Sequence, residues 1–238
     1  MGNSNTKHHY ETAKKTGTLS LCNSSLNELP SKLKELHPVL RQLNLSSNKF
    51  QTLPPSISNF SNLKYINVDY NKLTQLPEEI GRLQKLENLS AAANSITSIP
   101  HTFSSLVNLK EIHLNNNLIS DFPTSLCDLK HLTIIDISHN KIDMIPDSIK
   151  RIYAIEFNLN DNNISIISPE IANAPKLKIL KLENNNLTLS AIPKSLLCDS
   201  KVTSLFVQGN QFDIKEFEHL DGYEKYQERY TETKKKLF

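Results

Sequence analysis

Four side chains near the middle of the chain are of the kinds used in acid–base work: His113, Asp136, Ser138 and His139. An imidazole beside a carboxylate and a hydroxyl is the arrangement of a general base next to a nucleophile. Two imidazoles and a carboxylate are also ligands that a divalent metal accepts. A second chemical signal stands at the start. Met1-Gly2-Asn3-Ser4-Asn5-Thr6 fits M-G-x-x-x-[ST], in which Gly2 is myristoylated after Met1 is removed. A single C14 chain holds a bilayer only marginally, with an association constant of about 10⁴ M⁻¹. Lys7, Lys14 and Lys15 follow, and each basic residue near an anionic surface adds about 1 kcal/mol. Glu11 offsets part of that, and no cysteine precedes Cys22 to carry a second lipid. The expectation is a reversible contact with a cytoplasmic membrane leaflet. Lys234, Lys235 and Lys236 form another basic cluster, which reads more simply as a solvated helix end.

Whether the acid–base groups meet depends on the elements that carry them. Asparagines recur at Asn48, Asn71, Asn94, Asn117, Asn140, Asn162, Asn185 and Asn210, at spacings of 23, 23, 23, 23, 22, 23 and 25 residues. Around each the text reads L-x-x-L-x-L-x-x-N-x-L, as in Leu40, Leu43, Leu45, Asn48 and Phe50. Most units continue L-P-x-x-I/L-x-x-L, as in Leu76, Pro77, Ile80 and Leu83. An imperfect first unit with Leu19, Leu21, Leu26, Leu29 and Pro30 has Ser24 in the asparagine slot, which makes nine units. Alternation as L-x-L sets two apolar side chains on one side of a short strand. Strands of successive units stack in parallel, and their apolar columns form a core that no unit buries alone. The asparagine carboxamide both donates and accepts, so it suits the turn backbone between neighbouring coils. Proline leaves the strand and opens a short helical turn. The predicted fold is an α/β solenoid, a horseshoe with a parallel concave β-sheet, short helical or 3-10 turns on the convex face, and helical caps at both ends.

In that register the concave face carries Asn44, Asn67, Ser90, His113, Asp136, Asn158, Lys181 and Phe206 in its central column. Tyr65, Asn88, Glu111 and Glu156 lie two residues earlier, Asp69 two residues later, and Tyr70, His139 and Asp161 just beyond. The middle reads as acidic and rich in amides, which would steer a basic partner surface and repel phosphates. Tyr65, Tyr70, His113 and His139 are the expected anchors, because aromatic residues dominate interface energetics. The candidate protein-binding set is therefore Tyr65, Asp69, Tyr70, Asn88, Glu111, His113, Asp136, His139 and Glu156. An open sheet neither excludes water nor supplies an oxyanion hole, so the His113–Asp136–Ser138 group reads as an ion pair on the surface and not as an active site. No metal or other cofactor is expected.

Composition narrows the choice further. A formal net charge of +2, from 27 Lys and Arg against 25 Asp and Glu, is far from the basic balance of a nucleic-acid binder. Five glycines leave no phosphate-binding glycine loop, and no run of 18 apolar residues is present to span a membrane. Cys22, Cys127 and Cys198 are odd in number and widely spaced, which suggests neither disulfides nor a zinc site. The start lacks a secretory signal, so a reducing, cytoplasmic location is expected, and the N-x-[ST] sequons at Asn23, Asn44, Asn59, Asn88, Asn163 and Asn186 are set aside as products of the repeat.

These repeats resemble the intracellular leucine-rich-repeat proteins of the 23-residue L-P-x-x-I type, a group that includes scaffolds of Ras-related signalling. The resemblance extends to the flanks: Met1 to Ser4, Glu11 to Gly17, and Gly222 to Tyr226 with the closing lysines. It implies a curved scaffold without enzymatic activity, tied to signalling, and it names no partner; a monomer is expected. The expected layout is a lipidation signal and cap over 1–16, nine repeats over 17–214, and a helical cap with a basic tail over 215–238. His8 to Thr16 reads as a helix stopped by Gly17. Phe217, Leu220, Tyr223, Tyr226 and Tyr230 recur at helical spacing and read as a cap over the last coil, with a partner-binding helix as the alternative. Four departures stand out: Ala91 and Ala154 in apolar slots, Ser168 in place of a proline, and two extra residues around Leu189 to Ala191. The reading without an anchor is a soluble cytosolic regulatory subunit in which Gly2 is incidental.

Overall fold

The apolar columns account for the core of the computed structural model, which describes residues 3–235, with side chains from His9 onward. The chain divides between Leu118 and Ile119 into two compact units. The first holds helix α1 (Asn3–Thr16) and strands β1 (Thr18–Ser20), β2 (Gln42–Asn44), β3 (Tyr65–Asn67), β4 (Asn88–Ser90) and β5 (Glu111–His113). These strands are parallel and stacked in sequence order, with Leu19↔Leu43↔Ile66↔Leu89↔Ile112 in register. Each middle residue of the five is at most 2% exposed, so the period-2 alternation of the sequence has become an inside and an outside.

The spacing within L-P-x-x-I has a local cause. Proline leaves the strand extended, and its carbonyl accepts the N–H three residues on, as in Ile57 to Pro54 (3.0 Å), Ile80 to Pro77 (3.1 Å) and Phe103 to Pro100 (3.1 Å). That bond closes a 3-10 turn. The same turn buries the residue that donates, so Ile57, Ile80 and Phe103 are fully buried. Turns at Ser31–Leu36, Pro55–Asn59, Glu78–Arg82 and His101–Ser105 repeat this device in the first unit.

Helix α1 starts at Asn3, five residues before the predicted start, because neither proline nor glycine stands between Asn3 and Thr16 to stop it. Tyr10 and Ala13 bury against the first coil, and Lys14 pairs with Glu35 at 2.9 Å. Gly17 ends the helix at φ +73°, its N–H donating to Ala13 O, and a Cβ there would meet the Val39 carbonyl at 2.7 Å.

The second unit holds β6 (Ile134–Asp136), β7 (Met144–Ile145), β8 (Glu156–Asn158), β9 (Ile166–Ile167), β10 (Ile179–Lys181), helix α2 (Lys194–Cys198), β11 (Ser204–Phe206), and helices α3 (Ile214–Glu218) and α4 (Tyr223–Lys235). Its main ladder runs Ile135↔Phe157↔Leu180↔Leu205. β7 and β9 form a separate two-stranded parallel pair, Met144↔Ile166 and Ile145↔Ile167, which the repeat pattern does not announce. The two extra residues near Leu189 are absorbed by a 3-10 turn and α2, so the register Ile179↔Ser204 is kept. Ser168 replaces proline by capping: its hydroxyl accepts from Glu170 N at 3.1 Å and donates to Asp147 Oδ1 at 2.5 Å.

Candidate protein-binding face

The open face of each unit is fixed from behind by its asparagine ladder. Asn48 Oδ1 accepts from Leu26 N at 2.9 Å while its Nδ2 donates to Leu21 O and Leu45 O, both at 2.8 Å. One carboxamide thus joins its own coil to the one before. Asn162 does the same in the second unit, accepting from Ile142 N and donating to Ile137 O and Leu159 O. The residue just before each ladder asparagine takes the left-handed conformation: Ser47, Tyr70, Ala93, Asn116, His139, Asp161 and Asn184 all lie between φ +52° and +58°. Only Gly209 supplies a glycine there. A bulky aromatic such as Tyr70 is rare at positive φ.

In the first unit, Tyr65, Asn88 and Glu111 open β3, β4 and β5 and are half-buried in one column. Tyr65 accepts a bond from Asn67 Nδ2 at 3.3 Å. Asp69 is more occupied than its sequence position suggests, since Oδ1 accepts from Ser90 Oγ (2.7 Å) and from Ala92 N (2.6 Å). Tyr70 is the most exposed large hydrophobic of the described residues, at 67%. His113 Nε2 stands 3.9 Å from Glu111 Oε2. Along the edge of the same face, Glu87 sits between Lys64 (2.7 Å) and Lys110 (2.6 Å), and those two ammonium groups hold its carboxyl down at about 2.

The second unit carries Asp136, His139 and Glu156. Asp136 Oδ1 accepts from both the backbone N–H (3.0 Å) and the hydroxyl (2.7 Å) of Ser138. The Ser138 hydroxyl is thereby committed to a carboxylate, and Ser138 itself is buried, which is the wrong state for a nucleophile. His139 Nε2 lies 3.4 Å from Asp161 Oδ2. Glu156 pairs with Lys181 at 2.5 Å, and Glu183 accepts from Asn160 Nδ2 at 2.7 Å. The expected run of uncompensated acids is therefore reduced: Asp136 finds its donors within its own coil, and Asp161, Glu156 and Glu183 find theirs on neighbouring coils. Among the described residues, no group of three or more His, Cys, Asp or Glu side chains is placed to hold a metal, and no helix is long and apolar enough to cross a membrane. Gly2, the expected lipidation site, lies outside the described residues.

The aromatic row of α3 and α4, read from the sequence as a cap with a partner-binding helix as the alternative, borders an open cleft against β11 that the sequence reading did not place. The signal available was Phe206, an aromatic in a column otherwise filled by polar side chains.

This architecture is the leucine-rich-repeat fold, which generally serves protein–protein interaction. A family model described as a leucine-rich repeat region matches residues 17–111, and one described as a leucine rich repeat matches residues 84–142. Among solved structures the chain is similar to the plant peptide hormone receptor RGFR1 in complex with RGF2, with 30% identity and a TM-score of 0.68 over 81% of this chain and 32% of that one. It is also similar to PEPR1 in the PEPR1–AtPEP1 structure, with 31% identity and a TM-score of 0.66 over 78% of this chain and 27% of that one. Internalin C2 from Listeria monocytogenes gives 21% identity and a TM-score of 0.69 over 81% of this chain and 80% of that one, a likeness of fold alone. The chain thus spans about a third or less of the receptor chains and four fifths of the internalin.

Proposed function

We propose that this chain is a non-catalytic adaptor that binds a protein partner on its open sheet face and visits a cytoplasmic membrane through an N-myristoylated Gly2, as part of intracellular signalling. The observation that carries the binding half is the register of the face. Strand after strand presents a half-buried side chain at the same height, and Tyr70 and His139 stand out beside it. Two of the similar receptors are seen with RGF2 and with AtPEP1, which supports a protein or peptide as the ligand class here. Tyr65, Asp69, Tyr70, Asn88, Glu111 and His113 form the first-unit part of the surface, and Asp136, His139 and Glu156 the second.

Support for the anchor comes from the sequence pattern at Gly2 and the lysines that follow it. The test is the intact mass of the N-terminal peptide from protein made in eukaryotic cells. A peptide lacking Met1 and carrying a C14 acyl group establishes the anchor, and an unacylated one leaves a scaffold that works in solution. For the face, alanine at Tyr65, Tyr70, His113 and His139 together should weaken capture of a cross-linked partner at least tenfold, while unchanged capture refutes the assignment.

A further inference from the structure

The last strand leaves unfinished a ladder that the earlier repeats continue. Two residues after the middle of each strand, an N–H donates to the following strand: Leu45 to Asn67 O, Val68 to Ser90 O and Ala91 to His113 O in the first unit, then Ile137 to Asn158 O, Leu159 to Lys181 O and Leu182 to Phe206 O in the second. The equivalent residue after β11 is Val207. It is 2% exposed, and its N–H has no hydrogen-bond partner among the described residues. Such a group in a folded protein calls for an explanation. Two residues earlier on the same edge the Leu205 N–H is covered, by the Tyr226 hydroxyl at 3.0 Å.

Beside this edge runs a cleft of about 450 Å³. Phe206 and Val207 border it on the strand side, and Phe217, Tyr223, Tyr226 and Tyr230 on the helix side. Their rings form one contiguous row, with successive centroids 5.5, 5.8 and 6.3 Å apart. Phe206 is 37% exposed. Glu218 stands at the rim within hydrogen-bond reach of the Tyr223 hydroxyl and pairs with no cation among the described residues, while Lys234 at the other end of the cleft lies over the Tyr230 ring at 4.8 Å. The cap around the cleft is firmly held, because the Arg229 guanidinium donates to the carbonyls of Leu196, Leu197, Cys198 and Val202.

We propose that this cleft takes an extended segment of a partner protein, which pairs with β11 as an added parallel strand and sets a basic side chain against Glu218. In a parallel ladder a single residue accepts from one neighbour and donates to another two positions back. One extended residue therefore satisfies the Val207 N–H and the Leu205 carbonyl together. The cleft runs beside Ser204 to Gln208, roughly 16 Å of strand, which suits a segment of four or five residues. Main-chain pairing provides affinity and the tyrosine row selects an apolar neighbour, the division of labour seen in strand addition. A partner helix would leave the Val207 N–H unanswered. Single-stranded nucleic acid would find the aromatic rings and Lys234, but it has no main-chain N–H and carbonyl at strand spacing to answer Val207 and Leu205 together. This cleft adjoins the open sheet face and shares Phe206 with it, but it uses none of the proposed anchors of that face and stands whether or not they bind.

The test uses the full-length chain and a phage-displayed library of random linear nonapeptides. Enriched peptides should carry a basic residue next to an apolar one. They should lose at least tenfold in affinity for both Phe206→Arg and Glu218→Lys, and slow hydrogen exchange of the Val207 amide at least tenfold. N-methylation of the pairing residue should abolish binding, and Tyr70→Ala should leave it unchanged. Both cleft substitutions fall on exposed side chains, and matching thermal midpoints check that the variants fold. The proposal is overturned if no peptide is enriched on the natural chain over the double variant. It is equally overturned if the enriched peptides bind Phe206→Arg normally and lose affinity for Tyr70→Ala.

Discussion

Tyr70 combines a left-handed backbone with an exposed aromatic ring, and the two facts together make a quantitative expectation. An L-residue in that conformation costs about 1–2 kcal/mol, and asparagine relieves part of it by bonding to nearby backbone. Tyr70→Asn should therefore raise stability by about 1 kcal/mol in urea denaturation while weakening partner capture, a trade that an idle surface tyrosine would not show. Two buried tyrosines give a matched pair. The Tyr10 hydroxyl is buried without a partner, so Tyr10→Phe should be neutral or stabilising by up to about 1 kcal/mol. The Tyr226 hydroxyl receives the Leu205 N–H, so Tyr226→Phe should cost about 1 kcal/mol. Burial raises the pKa of both phenols, and Glu35 adds to the rise at Tyr10. The neutral forms are favoured in the fold, so stability is full below pH 10 and falls as pH climbs past 10 towards the raised values. Alkaline titration followed by circular dichroism should show that loss, with a smaller loss in Tyr10→Phe. Residue type and spacing singled out Tyr70 and Tyr226, but neither the left-handed backbone of Tyr70 nor the state of the two buried hydroxyls follows from them. The asparagine ladder did, because its partners recur with the period. The surroundings of Tyr10 and Tyr226 are set by one-off contacts between a cap and a coil.

At the level of elements, the 23-residue text specified the strands and turns so well because each is closed by bonds within one coil or to the next. L-P-x-x-I is a strand exit, a 3-10 turn and a buried side chain in five letters. Where that logic gives out, the sequence was harder to read. β7 and β9 arise from Met144-Ile145 and Ile166-Ile167 pairing outside the main ladder, a contact between segments that look like turn text. Helix α1 reaches Asn3 because nothing local stops it, and periodicity says nothing about a non-repeating flank. The end cap shows the same gap from the other side. Its aromatic spacing announced a helix, but not that Arg229 would lock α4 onto the carbonyl end of α2. Hydrogen bonds from a charged donor are worth about 1.5–3 kcal/mol, so Arg229→Ala should destabilise the second unit by that amount. It should also speed amide exchange across 223–235 before exchange in β6 and β8 changes.

For the molecule as a whole, the lipid and the lysines make a prediction with two readouts. If Gly2 is acylated, Gly2→Ala should move the chain from the membrane pellet to the supernatant. Raising salt should do so in part, because lysines near the surface are screened within a Debye length of about 8 Å while the acyl term is not. A membrane fraction indifferent to both would point to the soluble reading. Carboxylates of the open face are mostly engaged with their own neighbours, so the binding proposed there is expected to depend on aromatic and amide groups more than on net charge. The left-handed column next to the ladder has a further consequence for how such a chain changes over time. Seven of its positions bear a side chain other than glycine, from serine to tyrosine, with the same backbone in each. The torsional cost there is about 1–2 kcal/mol for an L-residue and is lower for asparagine and aspartate. Mutation can exchange one side chain for another within that range, so these sites form a row of interchangeable sockets along which new specificities can be tried while the repeat behind them stays unaltered.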